Sequence, residues 1–242
     1  MADLTRRSTQ PELMDDQVAS GQLSQAEYAH CLANLETINR LTRTHQPTLA
    51  WLDTATRFWP PGTTLSILDV ACGHGDLLRA IHRWALRRGL VPALSGIDMN
   101  PESAPTAAAA TPPEMAITWV TGDVFAYTPS PDPDFIVSSQ FTHHLDDNQV
   151  VAFLAWMERH ARRGWFIADL HRHAFAYYGF PWLARLMRWH RIVRIDGAIS
   201  IARSFRRKEW LAHIAAAGVP ATVQWHFAFH YCVERLRPEH PA

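Results

Sequence analysis

The residues best placed to do chemistry sit in one short stretch, Leu68-Asp69-Val70-Ala71-Cys72-Gly73-His74-Gly75-Asp76-Leu77-Leu78. Its apolar start has the pattern of a buried strand, and the period beyond Gly75 is helical, so the glycines fall in the turn between the two. Gly73 and Gly75 let the backbone take positive φ and approach a ligand closely. The helix start beyond them offers N–H groups without intrahelical partners. In an open parallel sheet, ligands bind at such turns. A dinucleotide site would have a third glycine where this chain has Leu78, and its pyrophosphate would lie poorly beside Asp69, which disfavours a nicotinamide reductase. An acid at that position suits a ligand that carries positive charge.

Two further acids stand where the next strands end, in Gly96-Ile97-Asp98-Met99-Asn100 and in Gly122-Asp123-Val124. The three segments, in this order and spacing, resemble the motifs of class I S-adenosylmethionine-dependent methyltransferases over roughly residues 60–170. The resemblance implies a methyl donor, S-adenosylmethionine, with a sulfonium and an ammonium facing the first motif. It implies donor contacts from Asp69, Ala71, Cys72, Gly73 and Gly75, then Asp98 and Met99 at the ribose, and Asp123 and Val124 at the adenine. A carboxylate accepts two hydrogen bonds from a vicinal diol, which gives Asp98 a physical reason. The segment Ser138-Ser139-Gln140-Phe141-Thr142-His143-His144 is similar to the stretch that lies beside the donor in many small-molecule members, and it adds Gln140 to the donor contacts. Pro11-Glu12-Leu13-Met14-Asp15-Asp16 and Ile38-Asn39-Arg40-Leu41 resemble a bacterial subgroup seen with polyketide or aromatic-lipid pathways, in secondary metabolism.

Methyl transfer needs alignment of donor and acceptor, and for a hydroxyl acceptor it needs a place for the proton. A phenol at pKa ~10 facing a histidine at ~6.5 makes full prior transfer cost about 5 kcal/mol, so a base would act as the oxygen attacks. An aspartate, at ~3.9, would be worse unless its pKa were raised. His143 and His144 are the catalytic candidates. On an extended segment neighbours point opposite ways, so one faces the site and the other packs. His171 and His173, with Asp169, have the spacing of a metal set, but a polar loop at the cleft mouth explains them more simply, and no metal is expected. Cys72 supplies a small side chain, since this chemistry needs no covalent enzyme intermediate.

The elements that must position these residues follow from the pattern of the 242 residues, 48% of them apolar. Strands are predicted at 65–70, 92–97, 117–120, 135–139 and 165–169, with helices at 76–88, 148–162 and 207–217, the last stopped by Gly218. That alternation predicts a doubly wound, mostly parallel α/β sheet of seven strands. Thr222 to Glu234 is strand-like throughout, and a closing hairpin is predicted there although no Gly or Pro marks its turn. Before the sheet, residues 12–23 look irregular. Ser24 and Glu27 form a capping box ahead of an apolar stripe, and a second helix is predicted over 48–58. Ala107 to Pro113 has the composition of a short loop. The chain divides into a helical cap, 1–60, and a catalytic domain, 61–242, with a lid insertion at about 171–205. That insertion carries Tyr177, Tyr178, Phe180, Trp182 and Trp189, predicted to roof a hydrophobic acceptor, and Arg185, Arg188, Arg191 and Arg194 at every third position.

Lys+Arg and Asp+Glu balance at 23 each, which excludes a globally basic nucleic-acid binder and an acidic disordered tail. Lys208 is the only lysine, and from Arg159 to Lys208 the acids are Asp169 and Asp196 alone, so a neutral chain holds a basic, aromatic segment. That segment favours an acceptor with an acidic group, or peripheral contact with an anionic surface or carrier. Three separated cysteines give no disulfide framework, and the N-terminus lacks a signal-peptide core, so a cytoplasmic protein is expected. The function expected is methylation of a small hydrophobic, aromatic or polyketide-like acceptor, at oxygen in preference. The alternatives are C-methylation of a quinone or lipid-like acceptor, and a non-catalytic binding protein that keeps the fold.

Overall fold

The computed structural model describes residues 3–238. One sheet contains β1 (Thr64–Val70), β2 (Val91–Asp98), β3 (Thr118–Thr121), β4 (Phe135–Ser139), β5 (Gly164–Leu170), β6 (Thr222–His226) and β7 (His230–Leu236). Their order is β3-β2-β1-β4-β5-β7-β6, so this is the seven-stranded, mostly parallel sheet expected. β1 to β5 pair in parallel, and β7 runs antiparallel to both β5 and β6. The strand order reverses between β1 and β4, which puts the topological switch point beside the glycine turn.

The helices are α1 (Leu13–Ala19), α2 (Gln25–Thr42), α3 (Gln46–Ala55), α4 (Asp76–Arg87), α5 (Ser103–Ala109), α6 (Asp147–His160), α7 (Ala174–Leu186), α8 (Arg191–Arg203) and α9 (Arg207–Ala217). β1 shows why the strands read as unbroken apolar runs: Leu65 and Ile67 join the core under α3 and α4, while Leu68 and Val70 join the core under α6 and α9. A sheet covered on both faces leaves no solvent side to its strands. A smaller cluster, including Cys31, Trp189, Ile192 and Val193, ties α2 to the α7–α8 pair. No helix among the described residues is long and apolar enough to cross a membrane.

Several local expectations change. Residues 12–23 are not irregular throughout, because α1 lies within them. Its first N–H groups, on Leu13 and Met14, donate to the two oxygens of Asp196 at 2.8 and 2.9 Å, so the cap comes from α8 and not from a neighbouring residue. The capping box at Ser24 is present, and a second closes between Asp146 and Gln149 at the start of α6. α3 starts two residues earlier than predicted and ends at Ala55. Ala107 belongs to α5, not to a loop. The last segment is a hairpin whose turn contains Phe229 at φ +62, a left-handed position filled without glycine. The insertion forms two helices, α7 and α8, packed on each other and joined through Arg188 at φ +55.

Candidate active site

The turn after β1 has three residues at positive φ: Ala71 at +58, Gly73 at +48 and Gly75 at +72. The two glycines face different surroundings. A Cβ on Gly75 would meet the Trp119 ring at 2.3 Å, whereas a Cβ on Gly73 would meet no protein atom within 4 Å. Gly75 is therefore needed for packing, and Gly73 faces open space. Beside them, Asp98 accepts the Gly73 N–H and the Asn100 N–H, both at 2.9 Å, one on each carboxylate oxygen. Val70, Ala71, Asp98, Met99, Asp123 and Val124 line one cleft, so residues from all three sequence motifs converge. Asp123 is turned partly inward on its own chain, accepting the Phe125 N–H at 2.9 Å. Asp69 is buried and its Oδ1 has no hydrogen-bond partner. Burial, then the charges of Asp76 and Asp98, hold its carboxyl well above the usual carboxylate range. Cys72 is buried and burial pushes its thiol up, which agrees with a packing role.

A cover over this turn is held by Gln140 and Asn39 together with Tyr28 and His45, which carry no sequence signal of a site. From α2 and the start of α3, Asn39 Nδ2 and His45 Nε2 reach Asp76 Oδ2 at 3.0 and 2.8 Å. Gln140 Nε2 donates to Asn39 Oδ1 at 3.1 Å, so the segment after β4 is tied to the same helix. Tyr28 shares a 2.8 Å hydrogen bond with Ser103 at the start of α5, on the far side of Asp98. These side chains come from distant segments, so no local pattern marks them as a group.

The histidine pair departs from expectation. Thr142 to His144 form a 3-10 turn, not an extended segment, so the rings lie together, 4.4 Å between centroids, and do not point opposite ways. His143 is buried; its Nδ1 is 2.7 Å from Asp169 Oδ1 and its Nε2 is 3.4 Å from Glu12 Oε1. Burial alone would lower its pKa, but Asp169 and Glu12 reverse this and hold it above the usual histidine range. Both ring nitrogens of His143 thus face carboxylates, Asp169 on one side and Glu12 on the other. His144 is half-buried, with Nδ1 3.0 Å from Asp15 Oδ2 and Nε2 3.8 Å from Glu12 Oε1. The carbonyls of the turn are also held: Arg7 Nη2 donates to His143 O at 2.8 Å, and Arg203 donates to His143 O and His144 O at 3.0 Å each.

Asp169, His171 and His173 do not converge as ligands. Asp169 faces Thr142 and His143, while His171 packs on Tyr231 and His173 stacks on Phe229. His230, at the start of β7, is buried with neither ring nitrogen partnered, and burial pushes it down to about 4. The predicted aromatic roof is divided. Phe180 and Trp189 pack inward against α2 and α8, while Phe175, Tyr178, Trp182 and Leu186 form an exposed stripe on α7. Arg185, Arg188 and Arg191 are exposed beside that stripe.

Residues 67–164 match the family described as "Methyltransferase domain". No curated protein matches the chain. Among solved structures, magnesium protoporphyrin IX methyltransferase from Synechocystis PCC 6803 is 14% identical, with 96% of this chain and 90% of that chain covered and a TM-score of 0.53. Plantazolicin methyltransferase BpumL is 13% identical over 85% and 89%, with a TM-score of 0.63. Human N-acetylserotonin methyltransferase is 14% identical over 89% and 57%, with a TM-score of 0.60. The fold alone does not fix a reaction, since "A Pericyclic Reaction enzyme" shares it at 16% identity over 77% and 47%, with a TM-score of 0.55. The domain match falls on the segment that builds the glycine turn and both flanking acids, so the methyltransferase likeness lies on the part of the chain that forms the cleft.

Proposed function

We propose that this methyltransferase holds its donor across the glycine turn and methylates, at oxygen, a small hydrophobic acceptor of aromatic or polyketide-like type. One observation carries the donor placement: a buried carboxylate oxygen of Asp69 has no partner, next to a Gly73 that faces open space. A positive group placed there returns Asp69 to its ionised form, since an opposite charge nearby favours the carboxylate. S-adenosylmethionine, when bound, supplies an electrophilic methyl group. Ala71, Cys72, Gly73 and Gly75 shape the backbone beneath it. Asp98, fixed by the Gly73 and Asn100 N–H groups, presents its remaining acceptor capacity to the ribose diol. Met99, Asp123 and Val124 border the adenine end, and Gln140, held by Asn39, borders the methyl end. Titration calorimetry with the donor and with its demethylated product tests this: both should bind, and binding of neither would refute the placement.

For the acceptor, residues 1–60 serve as a cap and residues 171–205 as a lid. The support is the exposed stripe Phe175, Tyr178, Trp182 and Leu186, flanked by cations. It suits an apolar acceptor with an acidic group, or the anionic surface or carrier that delivers one. His143 and His144, held by Glu12, Asp169 and Asp15, form the acceptor side of the cleft. Turnover of a panel of hydrophobic phenols against polar phenols, read by mass spectrometry, tests the acceptor class. Preference for polar acceptors would refute it.

A further inference from the structure

We propose that Glu12, His143 and His144 form a binding site for one divalent transition-metal ion, zinc being the best match to the donors. One ligand atom from each residue lies within 4.8 Å of the others. Glu12 Oε1 is 3.4 Å from His143 Nε2 and 3.8 Å from His144 Nε2. Ligands ~2.0–2.2 Å from a tetrahedral zinc stand ~3.3–3.6 Å apart, so these two edges are already close to size. Two histidines and a glutamate are the donor set of zinc sites that keep one position open for water or substrate.

The surroundings are what make this more than a charged cluster. A histidine that ligates a metal through one nitrogen almost always donates the other N–H to a carboxylate, carbonyl or water, which fixes its tautomer and aim. Here both rings are held that way. Asp169 Oδ1 lies 2.7 Å from His143 Nδ1, and Asp15 Oδ2 lies 3.0 Å from His144 Nδ1. Both Nε2 atoms are thereby aimed at Glu12. Glu12 is itself positioned by Ser200 Oγ, which donates to Oε1 at 2.7 Å. His143 and Glu12 are buried, and His144 is the opening to the outside. Three carboxylates, on Glu12, Asp15 and Asp169, compensate a doubly charged ion.

The site adjoins the donor cleft, since Phe141 and Leu145, on either side of the histidine turn, line that cleft together with Asp98. Cation uptake would displace the proton of His143 Nε2 to solvent, with no change of oxidation state. An acceptor hydroxyl taken into the open position would have its pKa lowered. The binding claim stands apart from the acceptor assignment.

The test uses the chelator-treated full chain titrated with Zn²⁺ against a chromophoric chelator, and with Co²⁺ read by its visible absorption. One ion per chain is expected. His144→Ala and Glu12→Gln should weaken uptake at least ~10-fold, and Asp15→Asn by ~10–100-fold, the usual effect of removing an outer partner. Binding of S-adenosylhomocysteine by the same samples reports folding and the donor site independently. Lost metal uptake with donor-product binding intact supports the site. If Glu12→Gln does not fold, the half-exposed His144 and the exposed Asp15 decide alone. No uptake by the parent chain, uptake indifferent to these variants, or uptake lost instead in the control His226→Ala would overturn the proposal.

Discussion

Gly73 and Gly75 are two residues apart and both at positive φ, yet alanine at each should fail in a different assay. Both sit at positive φ, where a Cβ costs ~1–2 kcal/mol. At Gly75 the new Cβ also meets Trp119 Cη2 at 2.3 Å, and overpacking of that kind adds ~1–3 kcal/mol. Gly75→Ala should therefore lose roughly 2–5 kcal/mol of stability, a fall in Tm of about 4–20 °C for a chain of this size. At Gly73 only the backbone term applies, so Tm should fall by about 2–8 °C. The methyl group then projects into the space assigned to the donor, and a clash of ~1–3 kcal/mol means roughly 5- to 150-fold weaker binding of S-adenosylhomocysteine. Thermal melts and calorimetry on both variants separate the two effects. A double-mutant cycle with Trp119→Leu should recover part of the Gly75→Ala loss, and none of the Gly73→Ala loss. Gly73→Ala binding S-adenosylhomocysteine as tightly as the parent would show that the donor does not lie on this turn.

Four further outcomes are expected. Asp98→Ala should weaken donor binding ~10- to 100-fold by calorimetry, since even one hydroxyl bonded to a carboxylate is worth ~1.5–3 kcal/mol; unchanged affinity would misplace the ribose. Asp76 resists burial because His45 and Asn39 bond it, and its pKa falls to about 2 from 3.8. A depressed carboxylate stabilises above its unfolded pKa, so about 2 kcal/mol should be present above pH ~4 and lost as pH falls towards ~2. Acid unfolding of Asp76→Asn should lack that component, and a curve parallel to the parent would refute it. Arg172→Lys should cost roughly 2–4 kcal/mol in urea melts, because one buried guanidinium reaches Leu4 O, Ser204 O and Glu209 Oε1 and an ammonium cannot span all three. Trp182→Ala should raise the acceptor KM and leave the affinity for S-adenosylhomocysteine unchanged; an unchanged KM would remove α7 from the acceptor site.

The strands and the glycine turn are legible because their signals are local. Leu65 to Val70 is apolar on both faces, Gly73 and Gly75 mark a turn, and Ser24-Glu27 marks a helix start. The failures share one cause, which is long-range partners. α1 is invisible because its cap, Asp196, lies in α8. The hairpin after β6 turns through Phe229, whose left-handed φ no sequence rule assigns to phenylalanine. His143 and His144 were read as a free pair on an extended segment, when Glu12, Asp15 and Asp169 hold them in a tight turn. A residue type suggests a base, but only its partners decide whether the proton is available.

The preference for arginine over lysine has the same character. The basic segment was read as a lid facing an anionic partner, and Arg185, Arg188 and Arg191 remain exposed as that reading needs. Other arginines of the same region are spent inside the protein. Arg203 reaches the carbonyls of Gln10, His143 and His144. Arg172 and Arg206 both donate to Leu4 O, and Arg7 answers from the N-terminal side with bonds to Arg203 O, His143 O and Leu145 O. These carbonyls come from irregular chain and helix ends, where no ladder supplies N–H donors. One guanidinium offers five N–H groups in a rigid fork and can bind two or three carbonyls at once, while an ammonium is a single point. The N-terminal strap, the histidine turn and the end of α8 are thus joined by side chains that lysine could not replace. Net charge and composition alone cannot distinguish such ties from a basic docking face, because both raise the arginine count equally.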